Sequence, residues 1–132
     1  MRPKRVFVTG AGGFIGSHLV EECASEGYKV RAMVRYNSKN SWGWLDQSDF
    51  RDKFEVVLGD VTDFDSVVAA LQGCDTGFHL AALIGIPYSY HSPLSYIKTN
   101  IIGTHNILSA ARARGVKNIL ITSTSETYGT VK

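Results

Sequence analysis

The fold is decided by the stretch Val6-Phe7-Val8-Thr9-Gly10-Ala11-Gly12-Gly13-Phe14-Ile15-Gly16-Ser17-His18-Leu19. It predicts a buried strand, a tight glycine turn and a helix that opens directly from the turn. The glycines at 10, 13 and 16 have separate uses there. One permits the bend, one lets a pyrophosphate approach the backbone, and one lets the helix pack closely on its strand. The helix also presents unpaired N–H groups to a phosphate, so we expect a nucleotide cradle, with a purely structural turn as the alternative.

The composition indicates one folded domain. Of the 132 residues, 44% are hydrophobic and 20% are charged, which is typical of a globular protein with a core. The formal net charge of +2 is too small to indicate binding to nucleic acid or to an anionic membrane. The two cysteines form neither a metal-ligand spacing nor a disulfide framework, and no metal site is predicted. No membrane span or secretion leader is recognised, so a cytoplasmic location is expected.

Strands and helices alternate along the chain. Strands are predicted at 4–9, 28–35, 54–58, 76–80 and 118–122, and helices at 14–26, 63–71 and 93–114. Asp63 is expected to cap the second helix, and Ile15, Leu19 and Cys23 to lie on the inner face of the first. The alternation predicts an α/β fold with a doubly wound parallel sheet of strand order 3-2-1-4-5, formed by residues 1–132 as a single domain.

Five motifs in a fixed order resemble the extended short-chain dehydrogenase/reductase family, which contains nucleotide-sugar epimerases, dehydratases and decarboxylases. They are Thr9 to Gly16, Gly59-Asp60-Val61-Thr62-Asp63, His79-Leu80-Ala81-Ala82, Asn100-Ile101-Ile102-Gly103-Thr104 and Ser123 to Gly129. The glycine spacing is G-x-x-G-x-x-G, whereas dinucleotide folds in general use G-x-G-x-x-G. The resemblance covers essentially the whole chain and implies a dinucleotide-binding Rossmann fold.

The resemblance also implies a set of cofactor-binding residues. They are Gly10, Gly12, Gly13, Phe14, Ile15, Gly16, Arg35, Asp60, Val61, Leu80, Ala81, Ala82 and Thr99. Asp60 follows a strand end, where its carboxylate is expected to accept a hydrogen bond from the adenine amino group; a capping or turn aspartate is the alternative. The small residues Ala81 and Ala82 are expected to let the ribose and phosphates pass near the backbone, with ordinary tight packing as the alternative. Asn100 is expected to brace neighbouring strand ends.

The end of the second strand favours NADP over NAD. NAD sites usually place an acidic residue about twenty residues after the glycines, and neither Asp nor Glu occurs from Val30 to Ser41. Arg35 stands there instead, and a guanidinium suits a 2′-phosphate or the face of adenine. The Val34-Arg35 pair is similar to the GDP-mannose 4,6-dehydratases, which use NADP. A solvated charge at the strand end is the alternative for Arg35.

The fifth strand is followed by the triplet Thr124-Ser125-Glu126, at the edge where open α/β sheets hold substrates. The triplet resembles GDP-mannose-type 4,6-dehydratases and UDP-glucuronate decarboxylases. In the dehydratases, hydride leaves sugar C4 for the nicotinamide, water is eliminated across C5 and C6, and hydride returns to C6. The resemblance implies that Glu126 removes the C5 proton and that Thr124 bonds the C4 oxygen. Ser125 stands where dTDP-glucose dehydratases carry an aspartic acid, and it is expected to be catalytic together with Thr124 and Glu126. A solvated loop carboxylate is the alternative for Glu126.

The family's Tyr-x-x-x-Lys motif and substrate lobe belong beyond the fifth strand, and the chain ends at Lys132. Tyr128 and Lys132 are not interpreted as that motif, because Tyr128-Gly129 already fills the family's own Tyr-Gly position. We expect an inactive cofactor domain of a longer, homodimeric enzyme that acts on a nucleotide sugar. UDP-glucuronate decarboxylase, nucleotide-sugar 4-epimerase and a non-catalytic dinucleotide sensor are the alternatives.

One polar segment, residues 37–52, carries Trp42-Gly43-Trp44-Leu45 and is predicted to be a loop with one short helical turn. The two tryptophans are interpreted as a cover for adenine, a mobile hydrophobic flap or a contact with a partner. The sequence does not choose among these three.

Overall fold

A parallel sheet of five strands, in the spatial order 3-2-1-4-5, forms the centre of the computed structural model, which describes residues 5–130. The strands are β1 Arg5–Thr9, β2 Lys29–Val34, β3 Phe54–Leu58, β4 Thr76–His79 and β5 Asn118–Ile121. Every neighbouring pair is parallel, so the carboxyl ends of all the strands meet at one edge of the sheet. The predicted α/β Rossmann architecture and its strand order are confirmed. Lys4 and Lys132 lie outside the described residues.

Helices cover both faces of the sheet. They are α1 Phe14–Ser25, α2 Phe64–Ala70, α3 Ile86–His91, α4 Pro93–Tyr96 and α5 Gly103–Arg114. A π-helical segment, Ile97–Ile102, joins α4 to α5, so the long helix predicted at 93–114 is present but contains wider turns. The helix α3 was not predicted from the sequence; it is six residues long and contributes no buried residue. Within the described residues, none of the helices has the length and apolar character needed to cross a membrane.

The central strand β1 is buried from both sides. Val6 and Val8 pack with Val20 of α1 on one face, and Phe7 packs with Ile107 of α5 on the other. All five side chains are at most 2% exposed. The uninterrupted apolar run that predicted β1 is therefore the signature of a strand covered on both faces.

The inner face of α1 differs from the prediction. Cys23 is buried as expected and Leu19 is partly buried, but Ile15 is 66% exposed. The buried residues near the start of the helix are instead the small residues Gly16 and Ser17. A large side chain does not fit there because the helix begins directly at the turn and lies against it.

The remaining elements follow the sequence closely. Asp63 caps α2 as predicted, since its side chain accepts hydrogen bonds from the N–H groups of Asp65 and Ser66. The strands β2, β4 and β5 each end one residue earlier than predicted. Segment 37–52 contains a 3-10 turn at Gly43–Gln47 and the start of a second at Arg51–Lys53, where one turn was expected.

Candidate functional site: a cleft at the carboxyl ends of the strands

A cleft of about 1120 Å³ opens at the carboxyl edge of the sheet. All of the predicted cofactor residues line it: Gly10, Gly12, Gly13, Phe14, Ile15, Gly16, Arg35, Asp60, Val61, Leu80, Ala81, Ala82 and Thr99. Thr124 and Glu126 line it too, whereas Ser125 does not. The exposed Ile15, misplaced in the prediction of the helix face, therefore belongs to the cleft wall. The fold brings into one cavity residues that lie far apart in the sequence.

Three glycines of the turn have different structural roles. Gly10 has φ +65, and a Cβ there would lie 2.8 Å from the backbone nitrogen of Ala81. A Cβ on Gly16 would overlap the carbonyl oxygen of Gly10, so only glycine lets α1 start this close to the turn. Gly13 is exposed, and a Cβ on it would meet one atom, the Gly10 oxygen, at 3.3 Å. Gly13 is the position that leaves the backbone open to a ligand.

The amino end of α1 is suited to an anion. Its N-cap is Gly13, which offers no side-chain hydrogen bond, and the first turn contains no acidic residue. The N–H groups at the start of a helix have no intrahelical partners, and the helix dipole adds partial positive charge. The open backbone and these donors together fit a pyrophosphate.

Thr9 fastens the turn to the end of β4. Its Oγ1 accepts hydrogen bonds from the N–H groups of Leu80 at 3.2 Å and Ala81 at 3.1 Å. The same oxygen lies 2.7 Å from Nδ1 of His79. Because the oxygen already accepts twice, its own proton donates to Nδ1.

The chain of hydrogen bonds continues from His79 to the π-helical segment. With Nδ1 accepting, the neutral ring carries its proton on Nε2, which donates to Oγ1 of Thr104 at 3.0 Å. The Thr104 hydroxyl in turn donates to the Asn100 carbonyl at 2.7 Å. His79 is 3% exposed, and burial lowers the pKa of its ring, which keeps it neutral. The network joins the carboxyl ends of β1 and β4 to the helix that borders the cleft.

Asn100 holds the segment that follows β4. Its Oδ1 accepts from the N–H of Leu83 and its Nδ2 donates to the Leu83 carbonyl, both at 2.9 Å. Thr99, its neighbour, also lines the cleft. The wider π turn thus directs two consecutive residues to this wall, as π-helical turns at functional sites often do.

Arg35 and Asp60 meet at the adenosine end predicted for the cleft. Arg35 Nε lies 3.8 Å from Asp60 Oδ2, and the side chains are 77% and 42% exposed, so the pair contributes little to stability. Burial alone would raise the pKa of Asp60, but hydrogen bonds from Thr62 and the charge of Arg35 outweigh it and hold the pKa below its usual value. Asp60 is therefore an ionised turn aspartate whose Oδ1 is bonded to Thr62 and whose Oδ2 faces Arg35.

Thr124 shapes the loop that carries Glu126. Its Oγ1 accepts from the N–H of Glu126 at 3.3 Å, and its carbonyl accepts from Oγ1 of Thr127 at 2.9 Å. These bonds cap the 3-10 turn Ser125–Tyr128. Both Thr124 and Glu126 are exposed on the cleft, in reach of a ligand.

The wall also contains residues that were not predicted from the sequence, among them Asn37, Ser41 and Gly43. These three belong to a loop whose placement depends on contacts with the glycine turn, and the one available signal was the glycine between two tryptophans. Among residues 5–130, no three His, Cys, Asp or Glu side chains come together as metal ligands.

Known proteins resemble this chain in sequence. Residues 7–132 match the family model described as GDP-mannose 4,6 dehydratase. The chain is 35% identical over 127 residues to the UDP-N-acetyl-alpha-D-glucosaminuronate decarboxylase of Bacillus cytotoxicus. It is also 35% identical over 133 residues to a UDP-glucose 4-epimerase of Rhizobium leguminosarum bv. trifolii. These alignments cover 96% and 98% of this chain but only 38% of each of these relatives.

A solved structure extends the likeness to the fold. DesIV (dTDP-glucose 4,6-dehydratase) from Streptomyces venezuelae, with NAD and TYD bound, is 30% identical and superposes with a TM-score of 0.83. The match covers 97% of this chain and 42% of DesIV. A decarboxylase, an epimerase and a dehydratase are thus all similar to the chain. The names of these relatives describe different reactions, so the likeness does not single out one of them.

Proposed function

The chain belongs to the GDP-mannose 4,6-dehydratase family of NAD-dependent nucleotide-sugar enzymes, and we propose that it is the cofactor-binding domain of a nucleotide-sugar 4,6-dehydratase. The observation that carries the proposal is that Thr124 and Glu126 share one cleft with the glycine turn. The chain spans 38% of the length of each of the two curated relatives named above, and we propose that 1–132 is the dinucleotide domain of a longer protein that carries the activity.

The chain's own residues supply each part of a dinucleotide site. The open backbone at Gly13 and the donors of α1 would hold the pyrophosphate. Asp60, kept ionised by its neighbours, would accept the adenine amino group. The exposed guanidinium of Arg35 would pair with a 2′-phosphate, which is the reason for preferring NADP to NAD.

The reaction proposed uses two side chains of the loop after β5. A nicotinamide dinucleotide held by the glycine turn, Asp60 and Arg35 would supply reversible hydride transfer at sugar C4 and C6. Thr124 Oγ1 accepts from the backbone of Glu126, which leaves the threonine proton to donate to the C4 oxygen. The Glu126 carboxylate would take the proton from C5, made acidic by the ketone at C4, and the protonated Glu126 would give this proton to the C6 hydroxyl, which leaves as water. The catalytic role of Ser125, which does not line the cleft, and the homodimer stay predictions.

A reaction in deuterated water separates the candidate reactions. The longer protein is incubated with a nucleotide sugar and the products are followed by NMR. A 4,6-dehydratase gives a 4-keto-6-deoxy sugar with deuterium at C5, because the proton removed there exchanges with solvent. A C4 epimer without deuterium would assign an epimerase instead, and release of carbon dioxide from a nucleotide uronate would assign a decarboxylase.

A further inference from the structure

The backbone of residues 41–46, called here the tryptophan segment, lies directly on the glycine turn. The N–H of Trp44 donates to the carbonyl of Gly12 at 3.0 Å. A Cβ on Gly12 would lie 2.6 Å from the Trp42 carbonyl oxygen, and a Cβ on Gly43 would overlap the Gly12 oxygen. The two main chains touch with no space for a side chain between them.

This contact fixes one peptide group of the turn at both of its ends. The Gly12 oxygen is held by Trp44, and the N–H of the same peptide, on Gly13, donates to the Gly10 oxygen at 3.1 Å. Gly13 is also the N-cap of α1. The orientation of this peptide therefore determines the direction in which the first N–H groups of α1 point.

Contacts of Leu45, Asp46 and Arg51 hold the tryptophan segment in place. Leu45 is 0% exposed and belongs to the core cluster under β1 and α1. The Asp46 carboxylate accepts from the N–H of Trp42 at 3.1 Å and from the Ser41 hydroxyl. Arg51 donates to the Asp46 carbonyl at 3.1 Å and lies 4.9 Å from the centre of the Trp42 ring. The segment packs as part of the domain instead of standing out as a flap.

The segment also continues towards the adenosine end of the cleft. The Nδ2 of Asn37 donates to the Ser41 carbonyl at 2.7 Å, and the Oδ1 of Asn37 accepts from the N–H of Ser41 at 3.2 Å. These two bonds close the loop that follows Arg35. Asn37, Ser41 and Gly43 all line the cleft. One braced stretch of chain thus runs from Arg35 to the glycine turn.

We propose that the tryptophan segment is a positioning element of the cofactor site. It holds the Gly12–Gly13 peptide so that the donors of α1 point at a pyrophosphate, and it fixes their distance from Arg35. The inference rests on the proposed function in that the ligand is a dinucleotide. A ligand that spans both ends of the cleft depends on the segment, whereas adenosine 2′-phosphate, which lacks the pyrophosphate, depends on it much less.

The test is Gly43→Ala, with Gly115→Ala as the matched control. The two glycines have φ of +67 and +68, so alanine meets the same backbone strain, but a Cβ at Gly115 has nothing within 4 Å. Calorimetric titration measures binding of NADP, NAD and adenosine 2′-phosphate to the chain, and the unfolding midpoint is recorded for each variant. We expect roughly a tenfold weaker NADP affinity for Gly43→Ala, little change for Gly115→Ala, and a smaller effect on adenosine 2′-phosphate.

A second pair of variants tests the same segment with substitutions that are expected to leave the protein folded. Asp46→Asn weakens the hydrogen bonds to Ser41 and Trp42 without adding a non-hydrogen atom, and Asp49→Asn makes the same change of charge at an exposed position of the same loop. Asp46→Asn is expected to lower NADP affinity severalfold and Asp49→Asn to leave it unchanged. If Gly43→Ala, Asp46→Asn and the wild type bind NADP equally well, the positioning role of the tryptophan segment is overturned and the proposed function is not. A wild-type chain that binds neither dinucleotide would overturn the proposed function as well.

Discussion

Nδ1 of His79 lies 2.7 Å from Oγ1 of Thr9, and the two residues are register partners at the ends of β4 and β1. Since Thr9 Oγ1 also accepts two backbone N–H groups, the hydrogen-bond order admits one neutral tautomer of the ring. The strand ends that border the glycine turn are thereby joined by a buried contact between two side chains.

A pH dependence of stability follows from His79. Burial lowers its pKa from the ordinary 6.5, so as the pH falls the unfolded chain binds a proton before the folded one does. The contribution of His79 to the free energy of unfolding is complete above about pH 6.5, the ordinary pKa of the ring. It decreases as the pH falls from there to the lower pKa of the folded protein, and below that pKa it stays constant.

Denaturant unfolding of the wild type and of His79→Asn between about pH 5 and pH 8 measures this effect. The other histidines and the carboxylates are common to both proteins, so they cancel in the difference between the two free energies of unfolding. The wild-type advantage is expected to shrink towards acid pH. A difference that is constant over the whole range would contradict the assignment of a buried neutral ring.

Thr104 is expected to matter through its hydroxyl. Thr104→Val leaves the Nε2–H of His79 without its acceptor, removes the hydroxyl's bond to the Asn100 carbonyl, and is predicted to cost about 1–3 kcal/mol of unfolding free energy. Thr104→Ser keeps the hydroxyl and should lose less. Urea unfolding of both variants is the measurement, and equal losses would show that the methyl group, not the hydrogen-bond chain, is what stabilises the fold.

Arg35 is expected to discriminate between the two cofactors. Arg35→Gln removes a charge-assisted contact, worth about 1.5–3 kcal/mol, from a ligand that carries a 2′-phosphate and from no other part of a dinucleotide. Calorimetric titration should therefore show a loss of roughly tenfold or more for NADP and a small change for NAD. Arg112→Gln, in the last turn of α5, is the control with the same change of charge. If Arg35→Gln loses affinity equally for NADP and NAD, the guanidinium does not discriminate between the two cofactors.

Local chemistry made much of this structure predictable. The glycine turn, the Asp63 cap and the apolar run of β1 each depend on neighbours within a few residues, and all appear where the sequence places them. The alternation of strands and helices, together with the rule for right-handed crossovers, then predicted a doubly wound parallel sheet.

Features that depend on distant contacts were not predictable. The π-helical segment is stabilised by Asn100 bonding to Leu83, seventeen residues away, and no periodicity in the sequence marks it. The cleft face of Ile15 depends on how closely α1 approaches the turn. The role of Gly43 is visible only when its backbone is seen against Gly12.

The most direct test of the whole account is Glu126→Gln in the longer protein, measured as the rate of water elimination from a nucleotide sugar. The loop geometry depends on the backbone and on Thr124, so the variant should keep its affinity for NADP. Removal of a general base is predicted to lower kcat by about a hundredfold or more. An unchanged elimination rate would contradict the assignment of Glu126 as the base at C5 and, with it, the dehydratase function.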